Sequence, residues 1–199
     1  LRESEGLKML NDKLFYKPYE IIGGKKIMAP SASSYHNNTL GGLYTIIRDY
    51  ARKNRCGYVF TDNVDVHLPD GSLYRPDLIV VKSENAGIID WQKTITGVPD
   101  MVVEIISQST KKNDFNIKKD TYELNGVKEY WIIDPFFKSV LVYLLRDGKY
   151  FLDNEYIYFM DKEEFEEMPE EDKAQVKSEI TLSIFPELTV KLEDIFEIW

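Results

Sequence analysis

RPDLIVV at residues 75–81 and PDMVVEIISQST at residues 99–110 each set an acidic residue against an apolar run, and KKNDFNIKKDTYELNGVKEYWIIDP follows at residues 111–135. LIVV after Asp77 has no polar alternation, which marks a strand covered on both faces. In MVVEIIS, Val102, Glu104 and Ile106 share one face, and Met101, Val103 and Ile105 share the other. From about Lys111 to Asn125 the spacing turns helical, with Gly126 as the residue that ends the helix. VKEYWIIDP is a third apolar strand, stopped by Pro135. Strand, helix and strand between Met101 and Asp134 leave room for a right-handed crossover, so those two strands are expected to be parallel.

Upstream, KPYEIIGGKKIMAP reads as a β-hairpin turning at Gly23-Gly24, after a stretch of weak helical periodicity. SASSYHNNTLGGLYTIIRDYARKNRCG then offers Ser33 or Ser34 as an N-cap, and Leu40, Leu43, Tyr44, Ile47 and Tyr50 recur at helical spacing. A helix of about four turns is expected, ending between Asn54 and Gly57. Gly41-Gly42 inside it points to close packing against another element. Downstream of Asp77, residues 83–98 read as a connection with a short excursion near Ile88 to Trp91. SVLVYLLRDGKYFL is a hairpin turning at Asp147-Gly148, residues 161–178 are an acidic helix or loop, and ITLSIFPELTVKLEDIFEIW returns to strand and a short helix. The order predicts one domain over residues 1–199, of α/β or α+β class, with a mixed central sheet flanked by helices.

Composition narrows the function. With 199 residues, 43% hydrophobic and 13% aromatic, the chain reads as a soluble globular protein, and no apolar run reaches the roughly 18 residues of a membrane span. The charged stretch LRESEGLKML does not read as a secretory signal, and one cysteine allows no internal disulfide, so a cytoplasmic setting is expected. The net charge of −9 argues against nucleic-acid binding by bulk electrostatics. The charge is polarised, however: DKEEFEEMPEEDK at 161–173 holds much of the acid, while Lys111, Lys112, Lys118 and Lys119 cluster.

A carboxylate on a buried strand costs several kcal/mol unless it is paired. Asp77 and Glu104 lie on adjacent apolar runs, and two converging carboxylates call for a cation between them. Hard oxygen ligands suit Mg²⁺ or Mn²⁺, and a cation so held suits hydrolysis of a phosphodiester. Lys118, near the start of the next helix, is the candidate general base or charge-stabilising cation. Asp114, Lys118 and Tyr122 fall on one helix face at i, i+4 and i+8.

PDLIVV, GVPDMVVEIISQST, the segment bearing Asp114, Lys118 and Tyr122, and GVKEYWIIDP together resemble the Uma family of restriction endonucleases, within the PD-(D/E)xK nuclease superfamily. The resemblance spans roughly residues 20–160 and the ending FPELTVKLEDIF. It implies a restriction-endonuclease-like sheet with a divalent-metal centre. Asp77 takes the place of the motif Asp and Glu104 that of the (D/E), with the main-chain carbonyl of Ile105 as a further metal ligand. The superfamily's Lys usually stands two residues after the Glu, where this chain has Ile106; the resemblance implies that Lys118 on the following helix has taken over.

Each residue also has a bland reading. Asp77 could cap its strand after Pro76, Glu104 could be ion-paired to Lys118 without metal, and most helical lysines are solvated. His36, at the start of the long helix, either reaches the site or is a hydrogen-bonded helix-end histidine. Gln108 and Tyr122 are pocket candidates, Tyr122 being more often a core residue. Asp100 reads as a loop or cap residue, Cys56 as a buried thiol and His67 as exposed. The leading expectation is an endonuclease acting on DNA, as a two-fold dimer if it cuts duplex with one site per chain. The competing one is a non-catalytic module of the same fold that binds nucleic acid or a protein partner. A third reading makes the acidic 161–173 segment a contact for a basic partner.

Overall fold

The computed structural model describes residues 19–22, 24–28, 33–61, 63–106, 113–158, 162–173 and 176–197. β1 (Tyr19–Ile22) and β2 (Lys25–Met28) form the antiparallel hairpin, with Gly24 at φ +74° in its turn. α1 (Ser34–Asn54) follows, capped by Ser33 and closed by Arg55 in the left-handed region. Its cap and its end fall where they were expected, but at 21 residues it has nearly six turns and not about four. Gly42 is there for close approach: a Cβ on it would stand 2.7 Å from the carbonyl oxygen of Asp194, whereas one on Gly41 would meet open space.

β3 (Gly57–Thr61), the short strands β4 (Val66–His67) and β5 (Leu73–Tyr74), and β6 (Leu78–Lys82) come next. A 3-10 turn at Ser83–Ile88 and β7 (Ile95–Thr96) fill the connection to β8 (Met101–Ile105). A π-helical turn, Asn113–Lys118, runs into α2 (Lys119–Asn125), which ends at Gly126 with φ +88°. β9 (Glu129–Asp134), β10 (Ser139–Arg146) and β11 (Lys149–Ile157) complete the main sheet, the last two joined at Asp147-Gly148. Both of those turn residues have positive φ, as a two-residue hairpin requires. α3 (Lys162–Glu167), α4 (Glu170–Lys173), β12 (Glu179–Thr181), β13 (Thr189–Lys191) and α5 (Leu192–Phe196) end the chain.

Among the described residues the main sheet has six strands in the order β11-β10-β9-β8-β6-β3. β8 and β9 pair in parallel through the expected crossover, and the remaining neighbours are antiparallel. The mixed sheet flanked by helices is therefore the architecture of this chain. Leu78, Val80, Met101, Val103 and Ile105 face Leu43 and Ile47 of α1, both fully buried, each such side chain contributing about 1.5–3 kcal/mol. Ile79, Val81, Val102 and Ile106 face the other way, onto Tyr74, Tyr122 and Tyr130. By this alternation Glu104 lies on the second face. Leu78 pairs with Val103 on the last rung of this ladder, and Asp77 stands one residue beyond it, at the end of the sheet where Glu104 lies.

Candidate active site

Asp77 stands where β6 begins, 18% exposed at its side chain. Its Oδ2 accepts the amide of Ile105 at 2.6 Å, tying it to the residue after Glu104, and its Oδ1 lies 3.0 Å from His36 Nε2. His36 is placed by the first turn of α1, where the Ser33 hydroxyl accepts its amide at 3.2 Å. The cap that starts the helix therefore also delivers the imidazole to Asp77.

Glu104 is buried, with its side chain 5% exposed. Its Oε2 accepts from Lys118 Nζ at 3.0 Å, and its Oε1 accepts from the Tyr122 hydroxyl at 2.8 Å. Lys118 closes the π-helical turn and is equally buried. Its ammonium also lies 3.0 Å from Glu20 Oε1 on β1, an oxygen that accepts the Arg75 amide at 2.9 Å. Aromatic rings wall the ammonium in: Nζ is 5.8 Å from the Tyr74 ring centroid, and Tyr74 meets Tyr122 edge-on at 5.3 Å. Burial, followed by the charge of Glu104, raises the Tyr122 hydroxyl well above the usual tyrosine range. It is a standing neutral donor that orients Glu104.

Asp77 with His36, and Glu104 with Lys118 and Tyr122, thus form two hydrogen-bonded groups at one end of β6 and β8, linked through the Ile105 amide. Gln108 and the side chain of Asp114 lie outside the described residues. His67 is exposed, Cys56 is half-buried, and Asp100 is a buried clamp that accepts from the Lys82 amide, Asn85 Nδ2 and Lys128 Nζ. The sequence reading did not single out Glu20 or Tyr74. Glu20 carries the same signal as Glu104, an acid set beside an aliphatic pair in a β-prone run.

The donor set can be tested against the metal that the superfamily implies. Among the described residues no three His, Cys, Asp or Glu side chains converge into a ready-made cage. Mg²⁺ and Mn²⁺ ask for less, since one or two carboxylates and several waters suffice. Two carboxylates at one end of adjacent strands, tied together through the Ile105 amide, suit a hydrated hard cation better than a closed zinc-type site.

Residues 16–170 match the model of the family described as "Uma2: Putative restriction endonuclease". No curated protein matches the chain. Among solved structures, the crystal structure of a "putative nuclease belonging to DUF820" from Anabaena variabilis aligns with a TM-score of 0.67 and 17% identity, over 94% of this chain and 96% of that one. At that identity the likeness shows a shared fold.

Proposed function

Because the chain belongs to the Uma2 family, we propose that it is a divalent-metal-dependent endonuclease hydrolysing phosphodiester bonds in DNA, with Asp77, Glu104 and Lys118 as its catalytic residues. The observation that carries this reading is the pairing of buried Glu104 with Lys118 at the end of the sheet where Asp77 accepts the Ile105 amide. Asp77 and Glu104 would hold Mg²⁺ or Mn²⁺, with the Ile105 carbonyl as a further ligand. When bound, such a cation polarises a phosphoryl oxygen and lowers the pKa of a coordinated water.

The chain's own groups do the rest. His36 and the Ile105 amide hold the two oxygens of Asp77 in place, and Tyr122 holds one oxygen of Glu104. Lys118, an ammonium between two carboxylate oxygens, faces the negative charge that develops on the phosphoryl group, and low exposure strengthens that interaction. The walls of Tyr74 and Tyr122 keep bulk water from Lys118 and Glu104. Cutting both strands of a duplex with one site per chain calls for a two-fold dimer, which sedimentation would detect. Supercoiled plasmid incubated with Mg²⁺ or Mn²⁺ tests the reading. Nicking is expected from the wild type and not from Asp77→Asn or Glu104→Gln, both still folded by circular dichroism. Equal nicking by those variants removes the proposal.

One observation favours a second reading. Lys118 already neutralises Glu104, as in a structural ion pair, so the fold could serve as a non-catalytic module that binds nucleic acid or a protein. Calorimetry with Mn²⁺ separates the two, since absence of binding at millimolar metal selects the module.

A further inference from the structure

Away from the carboxylates, a cavity of about 540 Å³ lies between the C-terminal half of α1 and the edge strand β3. One wall is Arg48, Arg52 and Arg55, and the other is built by Tyr58 and Trp91, with Tyr44 at the base of the helix wall. These are three of the six arginines in a chain whose net charge is −9. Among the described residues none of the three guanidinium groups is ion-paired; Arg48 lies 5.6 Å over the Tyr44 ring, and the nearby Glu84 is taken by Lys82 at 3.1 Å. Trp91 is 67% exposed and meets Tyr58 edge-on at 5.1 Å, so its ring presents an open face.

Arginines at the end of a helix have a plain role, since they offset the helix dipole. That role does not require a facing wall of exposed aromatic rings. Unpaired guanidinium groups opposite aromatic faces match a polyanion whose flat bases stack, and they match it without base-specific contacts. A basic helix would be repelled by this wall, and an acidic peptide would leave the rings unused. The placement agrees with this. α1 carries His36 at its other end, and Arg48 is twelve residues further on, about 18 Å at 1.5 Å per residue. One helix thus runs from the carboxylate cluster to the cleft.

We propose that the cleft between α1 and β3 binds single-stranded nucleic acid, namely nucleotides of the substrate strand that flank the scissile position. As a flanking subsite it rests on the nuclease reading; as a binding surface it does not. Arg48, Arg52 and Arg55 take the phosphates, and Trp91 and Tyr58 take the unstacked bases.

The test is titration of fluorescein-labelled oligo(dT) in EDTA, where no cleavage occurs, followed by anisotropy and by tryptophan fluorescence. Trp131 is buried, so quenching on binding that Trp91→Phe removes reports stacking at the cleft. Arg48→Ala with Arg52→Ala is expected to weaken binding by about tenfold or more and to flatten the salt dependence by about 0.7 per arginine removed. Trp91→Ala is expected to weaken it by about tenfold. These side chains are exposed, so melting temperatures should match the wild type. No oligonucleotide binding by the wild type, or equal affinity in the variants, overturns the proposal. So does a dimer that Trp91→Ala dissolves while affinity stays unchanged, which would assign the cleft to a second copy. If the wild type nicks plasmid and the cleft variants bind and nick alike, the cleft proposal fails and the nuclease stands. If oligo(dT) binds through the cleft and nothing is cut, the nuclease reading fails and the binding surface remains.

Discussion

Two glutamates buried in neighbouring parallel strands are held in opposite ways. Glu104 on β8 is surrounded by an ammonium and a phenol and shares its end of the sheet with Asp77, His36 and Glu20. Glu129 on β9, fully buried, accepts from neutral groups: Trp131 Nε1 at 2.8 Å, the Ile184 amide at 2.9 Å and the Ser183 amide. Burial pushes the Glu129 carboxyl up to about 7, and the hydrogen bonds that lower it do not offset that. The contrast teaches that burial alone does not mark a catalytic acid. Glu104, which we propose as catalytic, differs by a charged partner and by Asp77 at the same end of the neighbouring strand, whereas Glu129 pins the segment after β12 to the sheet.

The sharpest way to break this contrast is to neutralise each acid in turn. Glu104→Gln is expected to lower the nicking rate on the order of 10³-fold, the equivalent of several kcal/mol of lost metal-centred stabilisation. Its melting temperature should fall less than that of a variant lacking Lys118, because Lys118 keeps Glu20 as partner. Glu129→Gln should do the reverse, changing stability and leaving the rate of the folded fraction intact. If the two variants lose activity alike, Glu104 has no special role.

Removing the cation comes next. Lys118→Met leaves Glu104 and Glu20 buried together without their shared counter-charge, which is expected to cost about 3–5 kcal/mol in urea unfolding. Adding Glu104→Gln to Lys118→Met should recover part of that loss. No recovery would show that Lys118 acts by packing and not by charge.

Glu129 makes a prediction about pH. Its folded pKa of about 7 exceeds the unfolded value of 4.5, so the folded state holds the proton more tightly between them. Stability from this group is therefore full below about pH 4.5 and falls as pH rises to about 7, by roughly 3 kcal/mol. Glu129→Gln should abolish that share of the slope whatever it does to absolute stability. Unfolding measured at intervals from pH 4 to pH 8 on both proteins decides it.

How far the chain could be read without coordinates follows the same physics. That Asp77, Glu104 and Lys118 lie near one another was legible because acids just before LIVV and within VVEII demand a reason and Lys118 lies in the segment that follows, and the parallel crossover was legible because Met101 to Asp134 holds strand, helix and strand. Glu20 was not, although YEII poses the same demand, because a four-residue hairpin strand gives no periodicity to show which face it buries. Glu129 was not singled out, since nothing within VKEYWIIDP shows that the Ile184 amide returns from the far end of the chain to meet it. The close packing that Gly41-Gly42 announced was legible, but its partner, the Asp194 carbonyl over Gly42, was not, because it comes from the far end of the chain. The arginine cleft was invisible because nothing in the sequence joins Arg48, Arg52 and Arg55, on and just after α1, to Tyr58 and Trp91.

The smallest effect refines the description of Glu104. Tyr122 donates to Oε1 of a carboxylate whose other oxygen already has Lys118, so Tyr122→Phe removes one hydrogen bond and keeps the ion pair. A bond to a buried charged acceptor is worth about 1.5–3 kcal/mol, and Lys118 limits the loss to the lower end of that range. Because the Tyr122 hydroxyl is raised well above the usual range, it neither gives up nor takes a proton between pH 5 and pH 9, and the variant's pH–rate profile should keep the wild-type shape while its height falls several-fold. A changed profile would mean that Tyr122 takes part in proton transfer. An unchanged height would mean that Lys118 and the strand alone hold Glu104 in place, as the amides alone hold one oxygen of Glu129.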